Sequence, residues 1–159
     1  MTQMIGLAFT PEQFKTLLRM VYLANTIANG QRETDHLREY DDLEQYIFSR
    51  AGDAGFPAAT FKHKALGETH HHPSQIFEHD PELNKLMDEY EMTLLLEHLS
   101  LQLAERDIEQ QEGVDAKSRM PAHDYEELLE LYAEMYESEF NEFGFDRLVI
   151  EKKPIDQKL

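Results

Sequence analysis

Histidine is concentrated in one stretch of this chain, between residues 52 and 79, with three carboxylates close by in sequence: Glu68, Glu78 and Asp80. Neutral imidazole is the commonest biological metal ligand. A mixture of nitrogen and oxygen ligands suits Zn²⁺, Ni²⁺, Cu²⁺ or Fe²⁺ better than Ca²⁺ or Mg²⁺. One hypothesis is therefore a divalent transition-metal site. Its candidate ligands are His70, His71, His72 and His79, together with His98 if the stretch folds over the helix that carries it.

The spacing of these histidines argues against a specific site. Adjacent side chains of an extended chain point to opposite faces, and neither His-Glu-x-x-His nor a zinc-finger spacing occurs. Bundles with a carboxylate-bridged metal pair need Glu-x-x-His on two helices. Glu33 and His36 have that spacing at a helix boundary, and Glu68 and His71 have it within the stretch, so the set is incomplete. A solvated polar loop is the interpretation that we favour.

A helix over residues 91–104 is apolar almost all the way round, with Glu97 and His98 among its leucines. A soluble protein encloses such a helix with other helices or with a second subunit. A buried histidine beside carboxylates can serve as a base, a ligand or a proton-linked switch. Two polar residues whose hydrogen bonds the core or an interface satisfies are the favoured alternative. The two apolar sides of this helix predict a homodimer.

An acidic helix occupies residues 124–143, where eight Asp or Glu residues occur without any Lys or Arg. Like charges at i,i+4 destabilise a helix by roughly a few tenths of a kcal/mol per pair, so apolar packing has to offset that cost. The acidic face predicts a surface for a basic protein partner, with Glu130, Glu134 and Glu137 as its binding residues. The alternative is a solvated face that keeps the protein soluble.

The composition excludes several classes of function. The 159 residues have a net charge of −17, and residues 81–159 contain 21 Asp or Glu against 8 Lys or Arg. This sign disfavours nucleic acids and anionic membranes as partners. The chain has no Cys, which removes disulfides, thiolate nucleophiles and Cys-ligated metals. Neither Gly-x-Ser-x-Gly nor a phosphate-binding glycine loop is found, so the chain shows no complete catalytic motif.

Helix ends and apolar spacing predict four long helices. The first begins after the N-cap Thr10, with Gln13 completing a capping box, and ends in a left-handed turn at Asn29-Gly30. The second begins near Thr34 or Asp35 and ends before Gly52. Its expected buried stripe is Leu37, Tyr40, Leu43 (or Glu44) and Ile47, with Glu39, Asp41, Asp42 and Arg50 on its outer face.

The second half of the chain holds the other two predicted helices. The third runs from the cap at Asp80 to Gly113, and the fourth from Asp124 to Gly144. Residues 52–79 are expected to form a long, partly irregular connection. Residues 148–150 are a short strand or docked tail, and residues 151–159 a disordered tail.

The prediction is an all-α protein: one helical domain over residues 1–150, resembling a four-helix bundle. We expect a non-catalytic interaction or regulatory domain, oligomeric, that binds a basic or apolar protein partner. The alternative is a metal-binding helical protein, conceivably a metalloenzyme, that uses the histidines of residues 63–80. Since no signal sequence or apolar run of about 18 residues occurs, a cytoplasmic location is expected.

Overall fold

Residues 5–65 and 67–149 are described by the computed structural model, and most of them are helical. Contacts divide the chain into two compact units, Met1–Met87 and Asp88–Leu159. The elements are α1 (Pro11–Asn29), α2 (Arg38–Ser49), a 3₁₀ turn (Pro57–Ala59), β1 (Thr60–Ala65), β2 (Glu68–Pro73), α3 (Gln75–Glu78), α4 (Pro81–Glu112), α5 (Ala116–Arg119) and α6 (Ala122–Phe143). The prediction of a mainly helical protein is confirmed, with a small two-stranded sheet added.

Helix α1 begins as predicted and ends differently. The Thr10 hydroxyl accepts from the Gln13 backbone N–H at 3.3 Å, while the Thr10 N–H donates to the Gln13 side chain at 2.9 Å. The predicted left-handed end is wrong, because Gly30 has φ −60° and ψ −23°. A Cβ at this position would lie 2.4 Å from the Thr26 carbonyl oxygen. Gly30 is therefore needed for close approach of the backbone rather than for a positive φ.

Asn29 determines where α2 begins. Its side chain is buried, accepts from the Leu37 N–H at 2.8 Å and donates to the Leu37 carbonyl at 3.1 Å. Both hydrogen bonds fix Leu37 in an extended conformation, and α2 starts one residue later at Arg38. The predicted start at Thr34 or Asp35 is therefore wrong. The start is set by a side chain of α1, which the sequence of α2 itself does not reveal.

The start of α2 also changes which of its side chains are buried. Glu44 and Phe48 are buried, whereas Tyr40 and Leu43 are 41% and 52% exposed. Of the two alternatives predicted for the buried stripe, Glu44 is correct and Leu43 is wrong. The prediction that Tyr40 is buried is also wrong. Asp41, which was expected on the outer face, is instead partly buried against α1.

The core of the first unit is built around aromatic rings. Phe77 of α3 makes edge-to-face contacts with Phe48 at 5.1 Å and with Tyr22 at 5.6 Å between ring centroids. Leu18 of α1 and Leu83 from the first turn of α4 are fully buried in the same cluster. Aromatic pairs of this geometry stabilise by about 1 kcal/mol beyond the area they bury.

The connection between α2 and α4 was predicted to be partly irregular; it consists of turns followed by a two-stranded hairpin and a short helix, which the sequence did not predict. Strands β1 and β2 form an antiparallel hairpin in which Thr60 pairs with Pro73 and Ala65 with Glu68. Gly67 in its turn has φ +88°, a conformation that favours glycine. Most side chains of β1 are exposed, so the strand lacks the alternation of apolar and polar residues that identifies strands in a sequence.

Helix α4 has the predicted bounds. The Asp80 carboxylate caps it by accepting from the backbone N–H groups of Glu82 and Leu83, at 2.9 and 3.2 Å. Arg19 of α1 pairs with Asp80 at 3.0 Å and with Glu82 at 2.7 Å. These contacts tie the beginning of α4 to the first unit.

The middle of α4 is more exposed than the sequence predicts. Every residue from 88 to 93 is exposed, as are Glu97 and His98, while Ser100 and Ala104 are fully buried. Large apolar side chains in this region remain accessible to solvent, since Tyr90 is 53%, and Leu95 51%, exposed. Helices of the chain itself therefore do not enclose residues 88–93, and the alternative of a second subunit stays a prediction.

The second unit pairs the end of α4 with α6. Ile108, Ala116 and Tyr125 form its buried cluster. The Tyr132 hydroxyl donates to Gln111 at 2.7 Å, which links the two helices. The predicted start of the fourth helix at Asp124 is two residues late because the helix begins directly after Pro121, whose φ of −55° suits a helix entrance.

Helix α6 ends before Gly144 as predicted, but the ψ of Gly144, −131°, is not that of the expected left-handed end. Gly144 has φ +57°, and its N–H donates to the Phe140 carbonyl at 2.9 Å. Leu148 and Val149 follow without regular structure, and the predicted tail at residues 151–159 lies outside the described residues. No helix in the described ranges is long and apolar enough to span a bilayer. The single domain over residues 1–150 stays a prediction.

We predict that Asn29→Ala destabilises the protein by about 2–3 kcal/mol, because the Leu37 N–H and carbonyl lose their buried partner. The change is measured as the free energy of unfolding in urea. Asn141→Ala, an exposed position of α6, is the control and should change stability by less than about 0.5 kcal/mol. Equal effects of the two substitutions would contradict the role assigned to Asn29.

Candidate functional site

The hairpin sorts the clustered histidines onto two faces. His63 pairs with His70, and Phe61 pairs with His72, so these four side chains share one face of the sheet. The rings of His70 and His72 stack at 6.3 Å between centroids, and Phe61 lies 5.4 Å from His72. This juxtaposition of three imidazoles and one phenyl ring follows from strand register and could not be inferred from sequence spacing.

The other candidate ligands lie elsewhere. His71 is on the opposite face of the hairpin, paired with Lys62, and its buried Nδ1 has no hydrogen-bond partner among the described residues. His79 follows α3 and makes a hydrogen bond of 2.7 Å with the Gln75 carbonyl. His98 belongs to α4 in the second unit, where its side chain is exposed.

No preformed metal site is found in residues 5–65 and 67–149, where no three His, Asp or Glu side chains are grouped to hold a metal ion. Glu68 and His71 face opposite sides of the hairpin, so their Glu-x-x-His spacing does not converge. The metal site proposed from His70, His71, His72, His79 and His98 stays a prediction.

A buried polar network lies beside the histidine face, between α1 and α2. The Asn29 amide donates to Asn25 at 2.8 Å and to Asp41 at 3.1 Å, and the Asn25 amide donates to Asp41 at 3.2 Å. His36 also contacts the Asp41 carboxylate, at 3.3 Å. The network therefore satisfies both amide groups, and the Asn25 and Asn29 oxygens accept in turn from Asn29 and from the Leu37 N–H.

Glu44 is the most perturbed titratable group of this region. Burial raises its pKa to about 7, a hydrogen bond from Asn25 opposes that rise, and the charges of Asp41 and Glu78 add to it. Its carboxyl group is therefore close to half ionised near neutral pH. Burial and the neighbouring His70 and His63 lower the pKa of His72, which keeps that imidazole neutral.

These groups line one groove of about 630 Å³ in the first unit. We call it the histidine–carboxylate groove. It is a wide, open depression rather than an enclosed cavity. Its walls are residues of α1 and α2, the histidine face of the hairpin and the end of α3: Tyr22, Asn25, Thr26, Asn29, Gly30, His36, Asp41, Glu44, Phe61, His63, His72, Pro73 and Glu78.

A second groove, of about 440 Å³, lies in the second unit and involves the predicted partner-binding glutamates. Its apolar floor is formed by Leu101 of α4 with Leu129 and Ala133 of α6. Its acidic lining is Glu126, Glu130, Glu134 and Glu137, all exposed and all on one face of α6. We call it the acidic groove. The structure thus brings together Glu130, Glu134 and Glu137, as expected from their helical spacing.

No family model matches the chain, and neither a curated protein nor a solved structure resembles it. The function has to be argued from the two grooves.

Sequence reasoning missed the principal residues of the histidine–carboxylate groove. Asn25 and Asn29, spaced i,i+4 near the end of α1, interrupt an apolar stripe, and Glu44 does the same in α2. Polar residues at positions of a buried stripe were the available signal. Their convergence was not evident because it depends on how α1 packs against α2.

We predict that Glu44→Gln stabilises the protein by up to about 3 kcal/mol at pH 8. The ionised carboxylate is penalised by burial, so wild-type stability falls as pH rises from the ordinary pKa of 4.5 toward about 7. The neutral amide avoids that penalty. The advantage should shrink steadily as pH is lowered through the same window. Urea unfolding of both proteins between pH 5 and pH 8 measures it.

Glu68→Gln removes the same charge from an exposed position and is the matched control. A stability difference between wild type and Glu44→Gln that does not vary with pH would contradict the buried, perturbed carboxyl group.

Proposed function

We propose that this protein is a non-catalytic interaction domain that binds a basic amphipathic helical segment of a partner protein in the acidic groove. The observation that carries the proposal is the combination of an apolar floor with four carboxylates on one helix face. Such a groove is complementary to a helix with apolar residues at i, i+3 or i+4 and flanking Lys or Arg.

The Lys and Arg residues that the structure describes in the second unit pair with groups other than the carboxylates of this groove. Between residues 88 and 149 there are four Lys or Arg residues, and each has a partner elsewhere. Arg106 pairs with Asp107 at 2.7 Å, Lys117 with Glu105 at 3.5 Å and Arg147 with Glu139 at 3.0 Å. Arg119 donates to the Glu112 carbonyl.

Within the described residues, therefore, no basic side chain pairs with the carboxylates of Glu126, Glu130, Glu134 or Glu137. Their mutual repulsion raises the energy of the free protein. A basic partner relieves that repulsion when it binds, so charge complementarity favours both encounter and affinity.

We predict that a synthetic amphipathic helix of Lys and Leu binds the full chain, whereas its Glu and Leu counterpart does not. Neutralising Glu130, Glu134 and Glu137 together to Gln should weaken binding by about tenfold, since each exposed ion pair contributes up to about 1 kcal/mol. Fluorescence anisotropy of the labelled peptide measures the dissociation constant at low and high salt.

The control neutralises three exposed acids of the second unit outside the groove: Glu109, Glu112 and Glu142. It changes the net charge by the same amount. If both triple variants weaken binding equally, a nonspecific charge effect explains the result and the groove is not the site. Binding that is insensitive to salt would also refute the electrostatic argument.

We also propose that the chain forms a homodimer through the exposed part of α4. In this proposal the four long helices α1, α2, α4 and α6 belong to a helical bundle. A helix exposed on all sides over residues 88–93, with apolar Tyr90 and Met92, supports this proposal. Isolated helical segments need packing of their apolar face to be stable in water. A second copy of the same helix could supply it.

The double substitution Met92→Gln and Leu95→Gln is expected to raise the dimer dissociation constant by about tenfold or more, because two apolar contacts are lost. Sedimentation velocity over a range of protein concentrations measures the association. Leu131→Gln with Met135→Gln, two exposed apolar residues of α6, is the matched control. A wild-type protein that stays monomeric at every concentration would exclude the dimer.

A further inference from the structure

The end of α1 carries a chemically reactive pair, Asn29 followed by Gly30. In such a pair the backbone nitrogen of the second residue can attack the side-chain amide of the first, and glycine hinders this attack least because it has no Cβ. The fold requires both residues. A Cβ at Gly30 would lie 2.4 Å from the Thr26 carbonyl oxygen, and the Asn29 side chain sets the start of α2 through Leu37.

The reaction needs no partner other than water. The Gly30 nitrogen forms a bond to the side-chain carbon Cγ of Asn29, and the bond between Cγ and Nδ2 breaks. The amide nitrogen leaves as ammonia and takes up the proton that the Gly30 nitrogen loses. Water then opens the resulting cyclic imide at either of its carbonyl groups. The product is an aspartate or an isoaspartyl linkage, in which the main chain continues through the side chain.

The folded protein keeps both reacting groups engaged. The Gly30 N–H donates to the Thr26 carbonyl at 2.8 Å. The Asn29 side chain is only 5% exposed, and its amide accepts from the Leu37 N–H and donates to the Leu37 carbonyl. Asn29 is also the last residue of a helix, where the bond from Cα to Cβ tilts toward the N-terminus and away from the next nitrogen. Attack therefore requires the junction between α1 and α2 to open.

We propose that Asn29-Gly30 is a deamidation site that reacts only in molecules whose junction between α1 and α2 has opened. Opening breaks the hydrogen bonds of Asn29 with Leu37 and releases the Gly30 nitrogen from Thr26. Because closing is fast compared with this slow reaction, the rate follows the equilibrium population of the open state. The proposal involves neither groove and is independent of the proposed function.

The product cannot restore the junction. A carboxylate in place of the Asn29 amide has no N–H to donate to the Leu37 carbonyl, and it would replace a nitrogen that lies 3.1 Å from an Asp41 oxygen. Two carboxylates at that distance repel each other, in a region that already buries Glu44. An isoaspartyl linkage also lengthens the main chain at the end of α1. Deamidation therefore converts a transient opening of the first unit into a permanent one.

The test follows deamidation of the full chain at fixed pH and temperature, by digestion and mass spectrometry of the peptide that contains Asn29. The native protein is expected to react at least about a hundredfold more slowly than the same chain unfolded in guanidinium chloride, since a buried junction opens rarely. Equal rates in the two conditions, or no reaction in the unfolded chain, would overturn the proposal.

A pair of variants at Leu37 tests the gate itself. Leu37→Pro removes the N–H from which Asn29 accepts, and the φ of Leu37, −77°, is one that proline adopts. It should accelerate deamidation of the native protein about tenfold. Leu37→Ala loses the same side chain but keeps the N–H, so its effect should be clearly smaller. Equal rates for the two variants would show that this hydrogen bond does not control the reaction.

The consequence of the modification is tested by Asn29→Asp, which builds one of its products directly. Its midpoint of unfolding in urea should be lower than that of the wild type, whereas Asn141→Asp, which adds the same charge at an exposed position of α6, should leave the midpoint unchanged. A midpoint of Asn29→Asp equal to that of the wild type would show that the product restores the junction, and would refute the proposal of a permanent opening.

Discussion

The two hydrogen bonds between the Asn29 side chain and the Leu37 backbone set the geometry of the first unit. They determine where α2 begins, and the start of a helix determines which of its faces meets the neighbouring helix. With α2 beginning at Arg38, Phe48 enters the aromatic core while Glu44 is buried beside Asn25. The groove and the core therefore depend on the same backbone contact.

Burying the Glu44 carboxyl lowers the stability of the fold, and two features reduce this loss: protonation of the carboxyl and the packing of Phe48. The carboxyl can bind a proton near neutral pH, because its pKa is about 7, so the protein avoids much of the penalty of a buried charge. Packing of Phe48 against Phe77 one turn further along stabilises the same helix. In the second unit, by contrast, Glu126, Glu130, Glu134 and Glu137 are exposed to water, where repulsion between like charges is screened by salt.

Local signals in the sequence predicted the parts of the fold that depend on local interactions. The caps at Thr10 and Asp80 and the bounds of α4 were correct because the groups involved are within three residues of each other. The start of α2 and the hairpin were missed because both depend on partners farther along the chain. The acidic groove was partly predictable, since Glu130, Glu134 and Glu137 share a face by helical spacing alone, whereas its Leu101 floor comes from another helix.

The two grooves hold their carboxylates in different surroundings. Exposed carboxylates on α6 interact through a screened, long-range field that favours an extended polycation over a small one. Glu44 is buried, so its interactions with neighbouring charges are strong at short range. Because its pKa is about 7, modest changes in pH near neutrality change the fraction of molecules in which this carboxyl is ionised. The charge beside Asn25 and Asp41, and with it the stability of the first unit, therefore varies with pH.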